Sequence, residues 1–128
     1  MAVQRKILLV EDETSVAMMI TFLLTRAGCD VQSAWNLEKA LRLAEGHDFN
    51  LIVLDINLPQ AGGFEICRRL RELPHLQNTP VVFMSGCATL ENQQRAFVLG
   101  AVDFIEKPFA PRDFVSRILS HLKESTPA

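Results

Sequence analysis

Residues 51–59 read LIVLDINLP: four apolar residues, then Asp55, then a proline four positions on. A short apolar run that ends in turn-forming residues reads as a strand covered on both faces, as in a parallel sheet. Asp55 then lies at the end of that strand. A carboxylate there is costly unless a cation or hydrogen bonds compensate it.

On both sides of this stretch, short β-branched segments alternate with longer ones of helical spacing. The short segments are Lys6–Val10, Asp30–Ala34, Leu51–Leu54, Pro80–Met84 and Val102–Ile105. The long ones are Thr14–Ala27, Leu37–Glu45, Gly63–Leu73, Leu90–Leu99 and Arg112–Lys123. Apolar residues recur in them every three or four positions. The first helix is expected to turn Val16, Met19, Ile20, Leu23 and Ala27 to the core. Gly28 suits the position just past its end, and Asn36 suits the cap of the second helix. Leu90–Leu99 is the least regular, because Glu91 to Arg95 are all polar.

Such alternation predicts an α/β fold with a parallel sheet. Right-handed crossovers leave few topologies. The expectation is a flavodoxin-like, doubly wound, five-stranded parallel sheet of order 2-1-3-4-5 with five flanking helices. One domain is expected over residues 1–123, followed by a short C-terminal tail at 124–128.

Composition narrows the function. A net charge of −2 over 128 residues argues against a nucleic-acid or anionic-membrane surface on this domain. The longest apolar runs are too short to span a bilayer. Cys29, Cys67 and Cys87 form no CxxC pair and have no His spacing suited to zinc, so a reducing cytoplasm is the expected location. All three thiols are expected to act as small core residues.

In a parallel sheet every strand's C-terminal end lies on one edge, where ligands bind. Glu11 and Asp12 end the first strand and Asp55 the third. Ser85 ends the fourth, and Lys107 follows the fifth. Three carboxylates, a hydroxyl and an ammonium are therefore expected to converge. Crowded carboxylates favour a hard divalent cation, and Mg²⁺ suits a site of few protein ligands. A facing lysine can pair with an anion such as a phosphoryl group.

With ILLVEDE at 7–13, LIVLDINLP and Gly63 at 51–63, PVVFMSG at 80–86 and GAVDFIEKPF at 100–109, the chain resembles the receiver domain of bacterial two-component response regulators. The resemblance implies that Asp55 is the phosphoacceptor for a sensor histidine kinase or histidine phosphotransfer protein. It implies that Mg²⁺ is held by Asp12, Asp55 and the Asn57 carbonyl, with Glu11 acting through water. Lys107 would bridge Asp55 and the phosphoryl group, and Ser85 would bind a phosphoryl oxygen. Phe104 would be the switch aromatic, and Lys107-Pro108 a cis peptide. The face of the fourth helix, fifth strand and fifth helix would meet a homodimer mate or an effector. Such a domain catalyses only its own phosphorylation and dephosphorylation.

The chain departs from the family pattern at Ala61-Gly62, at Cys87 and at Phe104, which lacks a tyrosine hydroxyl. Taken singly, each site residue has an ordinary explanation. Glu11 and Asp12 can cap a helix, Asp55 can open a turn, Ser85 can be a cap, Lys107 a surface cation and Phe104 a core ring. Trp35, His47, His75 and His121 are expected to be solvated or simply packed. Two other functions fit less well. A degenerate receiver serving as a binding module is at odds with the intact set of site residues. An aspartyl phosphohydrolase would need an acid where Asn57 stands.

Overall fold

The computed structural model describes residues 5–58 and 61–122. Its elements, in chain order, are β1 (Lys6–Val10), α1 (Thr14–Arg26), β2 (Asp30–Ala34), α2 (Leu37–Glu45), β3 (Leu51–Asp55) and α3 (Gly62–Arg71). A 3-10 turn (Pro74–Leu76) precedes β4 (Val81–Ser85), α4 (Leu90–Val98), β5 (Ala101–Glu106) and α5 (Pro111–Ser120). The proposed tail at 124–128, together with Lys123 and Pro59, lies outside the described residues.

The strands form one parallel sheet in the order β2-β1-β3-β4-β5. Every residue of β3 and β4 is buried, as the unbroken apolar runs require of central strands. Alternate side chains feed two cores. Leu8, Val10, Ile52, Leu54 and Phe83 meet Ala40, Ala44, Ile66, Leu70 and Ala96 on one face. Ile7, Leu9, Val53, Val82 and Met84 meet Ile20, Leu24, Phe114 and Ile118 on the other. A fully buried Leu or Ile side chain contributes about 1.5–3 kcal/mol, so these layers dominate the stability. The order 2-1-3-4-5 follows because each βαβ crossover can cover only one face, and here α1 and α5 share one while α2, α3 and α4 share the other.

Local details agree with the chemistry of their residues. The Asn36 side chain accepts the Lys39 N–H at 2.9 Å, capping α2. Gly28 ends α1 with φ of 93°, a left-handed turn that side chains disfavour. Lys107-Pro108 is cis. Between β4 and β5 the register shifts at Val81/Val82, so Val102 has no partner and is 42% exposed.

The expected core face of α1 is corrected by about one residue. Ile20 and Leu24 are buried, with Val16 and Ala17 packed beside them, whereas Met19 is 40% exposed. Almost every residue from Val16 to Leu24 is apolar, so hydrophobicity alone does not choose a face. The chosen face leaves Met18, Met19 and Phe22 exposed, and Trp35 beyond β2 is exposed as well.

Candidate functional site

Glu11 directly follows β1, and its N–H donates to the Ala34 carbonyl at 2.9 Å. This bond continues the sheet ladder and turns the Glu11 side chain inward, where it is wholly buried. Asp12, next in the chain, is exposed. Asp55 is the last residue of β3 and is 5% exposed. Lys107 follows β5, tied there by its N–H to the Ser85 carbonyl at 2.8 Å.

These strand ends bring Glu11, Asp12, Asp55 and Lys107 together. Lys107 Nζ donates to Glu11 Oε1 at 2.7 Å and to Asp55 Oδ2 at 3.1 Å. The Asn57 N–H donates to Asp55 Oδ1 at 3.1 Å. One carboxylate oxygen from each of Glu11, Asp12 and Asp55 lies within 4.8 Å of the others. Burial, with Asp55 adding repulsion, outweighs the Lys107 bond and pushes the Glu11 carboxyl up to about 7. Burial alone would lower the Lys107 ammonium, but its bonds to Glu11 and Asp55 hold it above the usual lysine range.

The donor set fits Mg²⁺. All donors are hard oxygens, and three carboxylates against one ammonium leave an excess that a divalent cation matches. Asp12 and Asn57 are exposed, leaving room for water on the ion.

Gly63 accounts for the placement of Asp55. Its N–H donates to the Ile56 carbonyl at 2.8 Å. A Cβ on Gly63 would lie 2.7 Å from Ile56 Cα and still closer to the Asp55 carbonyl oxygen. The start of α3 therefore rests directly on the backbone of Asp55 and Ile56, and only glycine fits there.

Ser85 lies on the strand beside Asp55 and is fully buried. Its hydroxyl accepts the Cys87 N–H at 2.9 Å and donates to the Cys87 carbonyl at 3.2 Å. It is thus engaged with its own loop rather than with Asp55. Phe104 is 8% exposed and packs in the core with Phe83 and Ala96.

Several partners escaped sequence reasoning. His121 Nε2 lies 3.0 Å from Asp103 Oδ2, and Arg117 Nε donates to the same oxygen at 3.1 Å. Arg117 and His121 are four apart on α5, a spacing that shares one helix face. That spacing was the available signal; the strand partner was not readable. His75 Nε2 lies 2.7 Å from the Ala44 carbonyl and His47 Nδ1 lies 2.9 Å from that of Leu43. Cys87 is exposed, correcting its expected core role, while Cys29 and Cys67 are buried. Met18, Phe22 and Trp35 line a groove of about 440 Å³ that ends at Glu11 and Asp12. Among the described residues no helix is long and apolar enough to cross a membrane.

A family model for the response regulator receiver domain matches residues 7–119. The alkaline phosphatase synthesis transcriptional regulatory protein PhoP of Bacillus subtilis is 36% identical over 121 residues, covering 94% of this chain and 50% of that protein. The cell cycle transcriptional regulator CtrA of Caulobacter vibrioides is 32% identical over 120 residues, covering 94% and 51%. The chain spans about half the length of the curated relatives it matches. Among solved structures, the chemotaxis protein CheY4 of Vibrio cholerae superposes with a TM-score of 0.88 at 28% identity, covering 94% of this chain and 99% of that one.

Proposed function

The chain belongs to the response regulator receiver domain family of two-component systems, and from that premise we propose that it is switched by a phosphoryl group accepted on Asp55. Domains of this family are regulatory signalling domains rather than classical enzymes. The observation that carries the reading is the pair of bonds from Lys107 Nζ to Glu11 and Asp55, with Asp12 alongside.

In the proposed step, an Asp55 carboxylate oxygen bonds to phosphorus as the bond from phosphorus to the donor's imidazole nitrogen breaks. The electron pair returns to that nitrogen. Asp12, Asp55 and the Asn57 carbonyl, with Glu11 through water, would hold Mg²⁺, which would supply charge neutralisation at the phosphoryl oxygens. Lys107 is already aimed at Asp55 and stabilises the same developing charge with little rearrangement. Positioning and electrostatics thus carry most of the catalysis.

The product carries about −1.5 to −2 charge where a carboxylate stood. Ser85 turns from Cys87 to a phosphoryl oxygen, its loop follows, and Phe104 adjusts behind it. The surface of α4, β5 and α5 then changes for a homodimer mate or an effector. The donor is a sensor histidine kinase or a histidine phosphotransfer protein in the cytoplasm. The groove of Met18, Phe22 and Trp35 supports the donor's docking there, because it is apolar and opens on Asp12. The receiver extends over residues 1–123.

Acetyl phosphate with Mg²⁺ should add one phosphoryl group, detected by intact-mass spectrometry. Asp55→Asn, or chelation of the metal, should abolish it. A wild type without a Mg²⁺-dependent adduct would overturn the proposal.

A further inference from the structure

The loop joining β4 to α4 is held by two consecutive side-chain amides of the helix. Asn92 Nδ2 donates to the Cys87 carbonyl at 2.9 Å, and Gln93 Nε2 donates to the Ala88 carbonyl at 3.0 Å. The Cys87 carbonyl is also the acceptor of the Ser85 hydroxyl, at 3.2 Å. One carbonyl therefore joins the hydroxyl of the proposed switch to the first turn of α4. Thr89 caps that turn by accepting the Asn92 N–H at 3.1 Å, so Asn92 is fixed at both its backbone and its side chain.

We infer that Asn92 is a positioning residue: by holding the Cys87 carbonyl it sets the resting orientation of the Ser85 hydroxyl and ties that hydroxyl's movement to α4. The inference rests on the phosphoacceptor reading above. When Ser85 turns to a phosphoryl oxygen, the Cys87 carbonyl loses one of its two donors and keeps the other. The Cys87 N–H to Ser85 Oγ bond of 2.9 Å draws the loop with the hydroxyl. The Asn92 amide then passes the displacement to the helix, and Gln93 reinforces it one carbonyl later. The polar run that makes α4 irregular in sequence thus has a use, because apolar residues at these positions would leave the loop unattached.

Asn92→Asp separates this role from folding. Aspartate has nearly the same shape but no N–H to donate. It stands in the first turn of a helix whose N-terminus favours negative charge, so the helix itself is retained. In the resting protein, the Cys87 amide should exchange with solvent about fivefold faster, the effect of one lost hydrogen bond on local opening. With Mg²⁺ and beryllofluoride as the phosphoryl stand-in, bound fluorine should still appear by ¹⁹F NMR in both proteins. The amide shift changes of α4 should fall to less than half of those in the wild type. Asn92→Ala should show the same loss. Unchanged Cys87 exchange, or variants whose α4 responds like wild type, would overturn the inference. A wild type that binds no beryllofluoride would instead remove the reading beneath it.

Discussion

Two charged clusters flank β5, and they are built to opposite ends. At its C-terminal end Glu11, Asp12 and Asp55 face one ammonium, that of Lys107. Facing α5, one carboxylate of β5, Asp103, meets the Arg117 guanidinium, with His121 and the Phe104 N–H also directed at it. Burial raises a carboxyl in both places. In the first cluster it wins, and Glu11 is pushed up to about 7. In the second, the bonds from Arg117, His121 and Phe104 overcome it, and Asp103 is held below the ordinary carboxylate range. A cluster with its charges matched is finished as it stands and serves the fold. One left with surplus negative charge is completed only by a cation or by chemistry that changes its charge.

The largest effect expected from this contrast is on phosphoryl transfer. Lys107→Ala should slow labelling by acetyl phosphate on the order of 10²-fold, the usual scale for losing one preorganised donor. Far-UV circular dichroism should be unchanged. Arg117→Ala should leave labelling within about twofold while weakening the fold. Equal losses of labelling in the two variants would show that the clusters are not functionally distinct.

Stability should respond with opposite signs. Asp103→Asn leaves the Arg117 guanidinium with only the more distant Asp113 carboxylate, 3.8 Å away. The expected cost is about 1–2 kcal/mol in urea denaturation, reduced because the Arg117 side chain is 36% exposed. Asp55→Asn removes one of three mutually repelling carboxylates. Without divalent cations it should stabilise by about 0.5–1 kcal/mol, as relief of a strained site commonly does. If both substitutions destabilised to the same degree, the charge-surplus argument would fail.

Acid should single out the second cluster. A carboxyl held low in the folded state stabilises fully above its unfolded value, near 3.8 here. The contribution is lost as pH falls through the lower folded value. The wild type should therefore lose stability below about pH 4, and Asp103→Asn should flatten that limb. A limb equally steep in the variant would place the acid sensitivity elsewhere.

Much of the acidic cluster was legible because strand ends in a parallel sheet converge by topology. Once LIVLD was a strand, Asp55 had to share an edge with Glu11, Asp12, Ser85 and Lys107. The sheet order followed from crossover handedness. What stayed hidden depended on side-chain placement. The α1 stripe was ambiguous because nearly all its residues from Val16 to Leu24 are apolar. The Asp103 partners lie 14 and 18 positions away on another element. The Cys87 carbonyl that Asn92 holds is a backbone atom, and no residue type announces it. The inward hydroxyl of Ser85, bonded to its own loop, was unreadable for the same reason.

The smallest effect on folding should come from the exposed face of α4. Val98 is 85% exposed, Leu90 71% and Phe97 51%, with Val102 of β5 at 42%. A single exposed apolar residue needs no explanation, whereas exposed apolar residues grouped into one patch commonly mark a binding surface. Val98 is mostly exposed, so Val98→Lys should change the resting stability by no more than about 0.5 kcal/mol. If this face forms a homodimer once Asp55 is occupied, sedimentation with Mg²⁺ and beryllofluoride should show association in the wild type. The lysine should suppress it, because each copy would bring a charge into the apolar contact. An activated wild type that remains monomeric, or a lysine variant that associates equally well, would exclude this dimer and leave an effector of different chemistry as the occupant of the face.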